Sequence, residues 1–261
     1  MKIAVTGKGG VGKTTFSALL CRAYYDSGYK VLAVDADPDA NLAATLRFPG
    51  PDTITPISQM SELIEERTGA KPGSYGAMFK MNPTVDDLPE KLWVEHYGIR
   101  LMVMGGVKKG GGGCVCPESV LLKTLIQHLM LHRKDVIVMD MEAGIEHLGR
   151  ATAKAVNAFI TVVEPGRRSF ETAFRIRELA EEIGISKVFA VGNRVRNEDE
   201  KDFIRRHLPD FQILGYLSYD ERVVEADQKN YLLWEHCGNT YAEVKKIREQ
   251  ILDTGYLMLD S

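Results

Sequence analysis

The sequence predicts an α/β fold: one doubly wound, mostly parallel sheet in a single domain. Three observations carry that prediction. Short β-prone runs alternate with segments of helical spacing along most of the 261 residues, as when strands are joined by crossover helices. The strand-like runs are apolar almost throughout, as strands covered on both faces are. The first turn, GKGGVGKT at 7–14, has the spacing of a phosphate-binding loop between a strand and a helix.

Taken in order, residues 2–6 (KIAVT) form the first strand, and a glycine-rich turn follows. A helix over 14–27 is indicated by Leu19, Leu20, Ala23 and Tyr24 at helical spacing, with Gly28 as its stop. The second strand is 30–35 (KVLAVD), and later strands are expected at 100–104, 136–140, 159–163, 188–191 and 213–216. Helices separate most of them, at 118–132, 147–156, 169–183, 199–207 and 241–252. Residues 48–98 break this rhythm. They are richer in Pro, Gly and charge, carry one expected helix at 58–68, and read as an insertion on the sheet. The expectation is one domain over 1–261 with an insertion at about 48–98.

Composition narrows the function. With 44% hydrophobic residues, 26% charged residues and a net charge of −3, nothing marks the chain as a partner of nucleic acid or of an anionic membrane. The first residues turn polar too soon for a secretory leader, and no apolar run is long enough to cross a bilayer. Four unevenly spaced cysteines do not make a disulfide framework. A cytoplasmic protein is expected.

The loop at 7–14 matches G-x-x-x-x-G-K-[ST] in its required context. Gly9, Gly10, Val11 and Gly12 would turn backbone N–H groups toward phosphate oxygens, and the helix N-terminus at Thr14 and Thr15 adds positive potential. Lys13 would reach the outer phosphates and the Thr14 hydroxyl would hold Mg²⁺. The strand 136–140 ends four apolar residues on Asp140, the pattern of a second magnesium-side carboxylate.

With Lys8 the loop reads KGGVGKT, which resembles the deviant phosphate loop of the MinD/ParA/nitrogenase iron protein ATPases. In that family the extra lysine reaches across a dimer to the partner's nucleotide, so the resemblance implies a catalytic Lys8 acting in trans. It further implies that 35–39 (DADPD) is a first switch, with Asp37 positioning the attacking water and Asp35 close to the magnesium shell, and that 140–146 (DMEAGIE) is a second. Asn193 resembles the family's adenine-contacting asparagine. No aspartate follows it at the guanine-reading position, which favours ATP/ADP. Leu217 and the residues after it resemble the other wall of the base pocket.

Residues 110–118 read GGGGCVCPE. Cys114 and Cys116 do not stand at apolar-periodic positions, as Cys21 does. A strained, reducible Cys-x-Cys disulfide or a pair of inert loop thiols would each account for them. A metal site needs four donors, and two thiolates supply half of it. His128 and His132, at i and i+4, could add a pair, although a solvated pair fits them as well. Two Cys-x-Cys pairs meeting on a two-fold axis complete the set, and Lys8 had already implied a dimer.

KGGVGKT, DADPD, VIVMDMEAGIE and the lone Cys-x-Cys after KKGGGG together resemble the CooC/AcsF group, the nickel-inserting maturation ATPases of carbon monoxide dehydrogenase and acetyl-CoA synthase. That resemblance implies a homodimer that holds Ni²⁺ through Cys114 and Cys116, with Zn²⁺ able to take its place. It delivers the metal to the apo form of one of those enzymes, without nucleic-acid or membrane partners. Two other readings stand beside it: an iron–sulfur electron donor like the nitrogenase iron protein, and a positioning ATPase of the MinD/ParA kind.

Overall fold

The computed structural model describes residues 1–74, 78–105, 116–143, 156–185 and 187–254. Its eight strands are β1 (Lys2–Gly7), β2 (Val31–Ala36), β3 (Val94–His96), β4 (Ile99–Val103), β5 (Val136–Met141), β6 (Ala158–Val163), β7 (Val188–Val195) and β8 (Gln212–Ser218). They form one sheet in the order β3-β4-β2-β5-β1-β6-β7-β8. Every neighbouring pair is parallel except β3 with β4. In β1, β2, β5 and β6 every residue is buried, which is why their sequences are mostly apolar rather than alternating.

The helices are α1 (Lys13–Tyr25), α2 (Leu42–Thr45), α3 (Ser61–Thr68), α4 (Leu88–Leu92), α5 (Pro117–His132), α6 (Arg167–Glu182), α7 (Glu198–His207), α8 (Glu221–Lys229), α9 (Leu233–His236) and α10 (Gly238–Asp253). Successive strand residues feed opposite faces. Ile3, Val5, Ala33 and Val138 pack with Phe16 and Leu19 of α1 and with Val244 and Ile247 of α10. Ala4, Leu32, Val34 and Met139 pack with Leu125 of α5, Ile176 of α6 and Ile204 of α7. Two cores on one sheet make the doubly wound fold.

Two expectations were adjusted by packing. The helix expected over 58–68 begins only at Ser61, because the chain first makes a 3₁₀ turn (Ile57–Gln59) whose Ile57 is buried against the sheet. Parts of the described residues of 48–98 pack onto the sheet. Ile64, Val85 and Leu88 enter the second core, and Val94–His96 becomes the edge strand. The helix expected over 147–156 lies, except for its last residue, outside the described residues. Among the described residues, no helix is long and apolar enough to cross a membrane.

Candidate nucleotide site

The carboxyl ends of β1, β2 and β5 converge because these strands are neighbours in the sheet. In an open parallel sheet, that edge is where ligands bind. The loop 8–12 leaves β1 there and feeds α1. Gly10 and Gly12 adopt left-handed φ values of 79° and 90°. A residue with a side chain at 12 would also bring its Cβ within 2.3 Å of Asn193 Nδ2. Turns of this kind aim successive N–H groups into one concavity. Helix α1 has no side-chain cap and no acidic residue in its first turn, so its N-terminal donors are left for an anion.

Lys13 is buried, with its Nζ 3.9 Å from Asp37 Oδ2. Asp35 is fully buried and accepts hydrogen bonds from the backbone N–H groups of Leu42 (2.8 Å) and Asp37 (3.2 Å). Asp140 stands in register with Asp35 on the adjoining strand. Ser17 Oγ donates to its Oδ1 at 3.2 Å, while its Oδ2 is buried without a hydrogen-bond partner. Burial, the largest cause, pushes Asp35 up to about 7 and Asp140 up to about 6. The neighbouring Thr14 hydroxyl, the charge of Lys13 and the Ser17 hydrogen bond pull Asp140 the other way.

Two desolvated carboxylates and a hydroxyl, one carboxylate oxygen lacking a partner, are a donor set that suits a hard divalent cation. Mg²⁺ fits the residues present: Thr14 and Asp140 would hold it, with Asp35 behind.

Farther along the sheet, β7 and β8 carry register shifts between Ala190 and Val191 and between Gly192 and Val195. Irregularities of this kind re-aim side chains. Asn193 leaves the ladder there and its Nδ2 donates to Val11 O at 2.6 Å, so it braces the phosphate loop. Leu217 is buried in the first core.

Lys8 Nζ lies 4.0 Å from Glu164 Oε1 of the same chain. Cys116 is half-buried and caps α5 ahead of Pro117. Burial raises its thiol pKa, and so does a hydrogen bond to Glu118, while the Ser119 backbone acts against both. Cys21 and Cys237 are buried, with their thiols pushed up by burial, Cys237 to about 11. Neither is a donor at the surface. His128 and His132 lie together, ring centroids 5.2 Å apart. Among the described residues no group of three or more His, Cys, Asp or Glu could hold a metal ion. Cys114 and the second-switch residues 144–146 lie outside the described residues.

Sequence reasoning missed three participants. Ser17 was visible as a polar residue three positions after Thr14 on the same face of α1. Glu164 and Arg194 gave no local signal, because only strand order brings them to the loop.

Residues 2–233 match the family model described as the CobQ/CobB/MinD/ParA nucleotide binding domain. An uncharacterized ATP-binding protein of Methanocaldococcus jannaschii is 48% identical over 230 residues, 87% of this chain and 88% of that protein. The carbon monoxide dehydrogenase accessory protein CooC of Rhodospirillum rubrum is 46% identical over 230 residues, 87% of each chain. Among solved structures, a chain of the MinC:MinD cell division protein complex of Aquifex aeolicus superimposes with a TM-score of 0.70 at 19% identity. That match covers 97% of this chain and 96% of that one, and it speaks for the fold alone.

Proposed function

The chain belongs to the CobQ/CobB/MinD/ParA nucleotide-binding family and is an ATPase of the CooC type within it. From that premise we propose that it is a cytoplasmic metallochaperone that works as a homodimer. It would couple ATP hydrolysis to the insertion of Ni²⁺ into apo carbon monoxide dehydrogenase or acetyl-CoA synthase. The observation that carries this reading is the 46% identity to CooC over 87% of the chain.

In this reading Lys13 and the N–H groups of Gly9, Gly10, Val11, Gly12, Thr14 and Thr15 hold the triphosphate. Mg²⁺, when bound, supplies charge stabilisation at the outer phosphates. Asp37, 3.9 Å from Lys13, orients the attacking water. Lys8 serves the partner's phosphates as a cation delivered on closure. Asn193, which already touches the loop at Val11, and the backbone at Leu217 border the adenine. Nickel is cargo: Cys116 and Cys114 of each subunit supply four sulfurs across the two-fold axis, and Zn²⁺ competes for them.

The test is an anaerobic Ni²⁺ titration of the metal-free chain and of Cys114→Ser/Cys116→Ser, with metal content and native mass read together. One Ni²⁺ per two chains, lost with the metal-dependent dimer in the double variant, is the expected result. Equal uptake by the variant would remove nickel from the function and leave a nucleotide switch with another cargo.

A further inference from the structure

We propose that Glu164 is a positioning residue for the loop lysine: it latches Lys8 within its own subunit, and release of that latch is part of dimer closure. The inference rests on the reading that Lys8 serves a partner's phosphates.

Strand register puts the two groups together. In β1 and β6, Thr6 pairs with Thr161 and Gly7 with Val162, so the residues that follow these strands emerge side by side. The Glu164 backbone N–H donates to Ser169 Oγ at 3.1 Å, and Ser169 is buried in the first turn of α6. That bond fixes where the glutamate stands.

Its carboxylate faces two cations, Lys8 Nζ at 4.0 Å from Oε1 and Arg194 Nη1 at 3.5 Å from Oε2. Arg194 is itself placed. It has a left-handed φ of 57°, and its backbone N–H donates to Asn193 Oδ1 at 2.9 Å. Asn193 in turn donates to Val11 O at 2.6 Å. Glu164 is thus tied to the phosphate loop twice, directly through Lys8 and indirectly through Arg194 and Asn193.

The Lys8 contact is the longer of the two, 4.0 Å against 3.5 Å, and both pairs are partly exposed. Ion pairs this long and this wet are weak, so a triphosphate competes for the lysine easily. When Lys8 leaves, Arg194 keeps the carboxylate paired, so opening the latch strands no charge.

Glu164→Gln removes the charge and keeps the shape, and Glu164→Asp withdraws the charge from Lys8 in case the first variant folds poorly. In nucleotide-free protein, acylation of Lys8 by an amine-selective reagent, read by peptide mass spectrometry against the other lysines, should rise about two- to threefold. ATP-driven dimerisation, read by native mass over a protein dilution series, should move to about fivefold lower concentration because two latches are lost per dimer. Unchanged Lys8 acylation in both variants would overturn the latch, and so would faster acylation with unmoved dimerisation. A Lys8→Gln chain that still dimerises with ATP would instead overturn the trans reading, a separate outcome because it involves no change at Glu164.

Discussion

At the carboxyl ends of β2 and β5, Asp35 and Asp140 are buried side by side, and one oxygen of Asp140 has no partner. At the amino end of the sheet, beside the starts of β1, β4 and β5, the charges are closed. Lys2 Nζ donates to the carbonyls of Arg133 and Asp135. The Asp135 carboxylate takes Arg133 at 2.9 and 3.1 Å and Arg100 at 3.4 Å. Arg133 reaches Glu90 as well. Both ends have a cost in desolvation. The amino end settles it inside the chain, and the carboxyl end leaves it to be settled by a ligand. Two raised carboxylates beside a phosphate-type loop are the kind of perturbed buried pair that marks a functional site.

The largest effect that follows is on activity. Lys13→Gln should lower ATP hydrolysis at least about a hundredfold, since it removes a buried cation aimed at developing phosphate charge. Thermal stability should change little, because the Asp37 contact it breaks is long, at 3.9 Å. A phosphate-release assay and a melting curve on the same sample check both halves. Comparable losses at the two would make Lys13 a structural residue and erase the contrast.

At the closed end the expectation reverses. Asp135→Ala leaves Arg133 and Arg100 without their shared carboxylate in a mostly buried place. It should cost about 3 kcal/mol of stability, read by urea unfolding, while ATP affinity stays within twofold. A large change in ATP affinity would mean that the two ends are coupled rather than separate.

The smallest effect sharpens the comparison through pH. Burial raises Asp35 and Asp140 to about 7 and about 6 when folded, above an unfolded value of about 4. Groups raised in this way favour folding below the unfolded pKa, and that contribution is lost as pH rises through the folded one. Asp140→Asn should therefore stabilise the metal-free chain little near pH 4 and by about 1–3 kcal/mol above pH 6. Unfolding curves of wild type and variant at several pH values measure the difference directly. A gain that shrank as pH rose would mean that Asp140 is not a desolvated carboxylate.

What could be read before folding was whatever is contiguous. The phosphate loop, with Lys8, Lys13 and Thr14, is one turn between a strand and a helix, and its glycine spacing encodes its own backbone path. The mostly apolar runs gave the central strands, because burial on both faces leaves few polar positions. Irregular or short elements were less legible. The edge strand Val94–His96 is three partly exposed residues held by its neighbour β4, and α8 and α9 are set by what they pack on.

The sequence by itself determined the family, the sheet and the phosphate loop, since each depends on local periodicity or on a motif of a few residues. Only the tertiary structure decided that Asp140 stands in register with Asp35, that Asn193 braces Val11, and that Lys8 shares Glu164 with Arg194. Those contacts join residues far apart in the chain, and strand order, not spacing, brings them within reach.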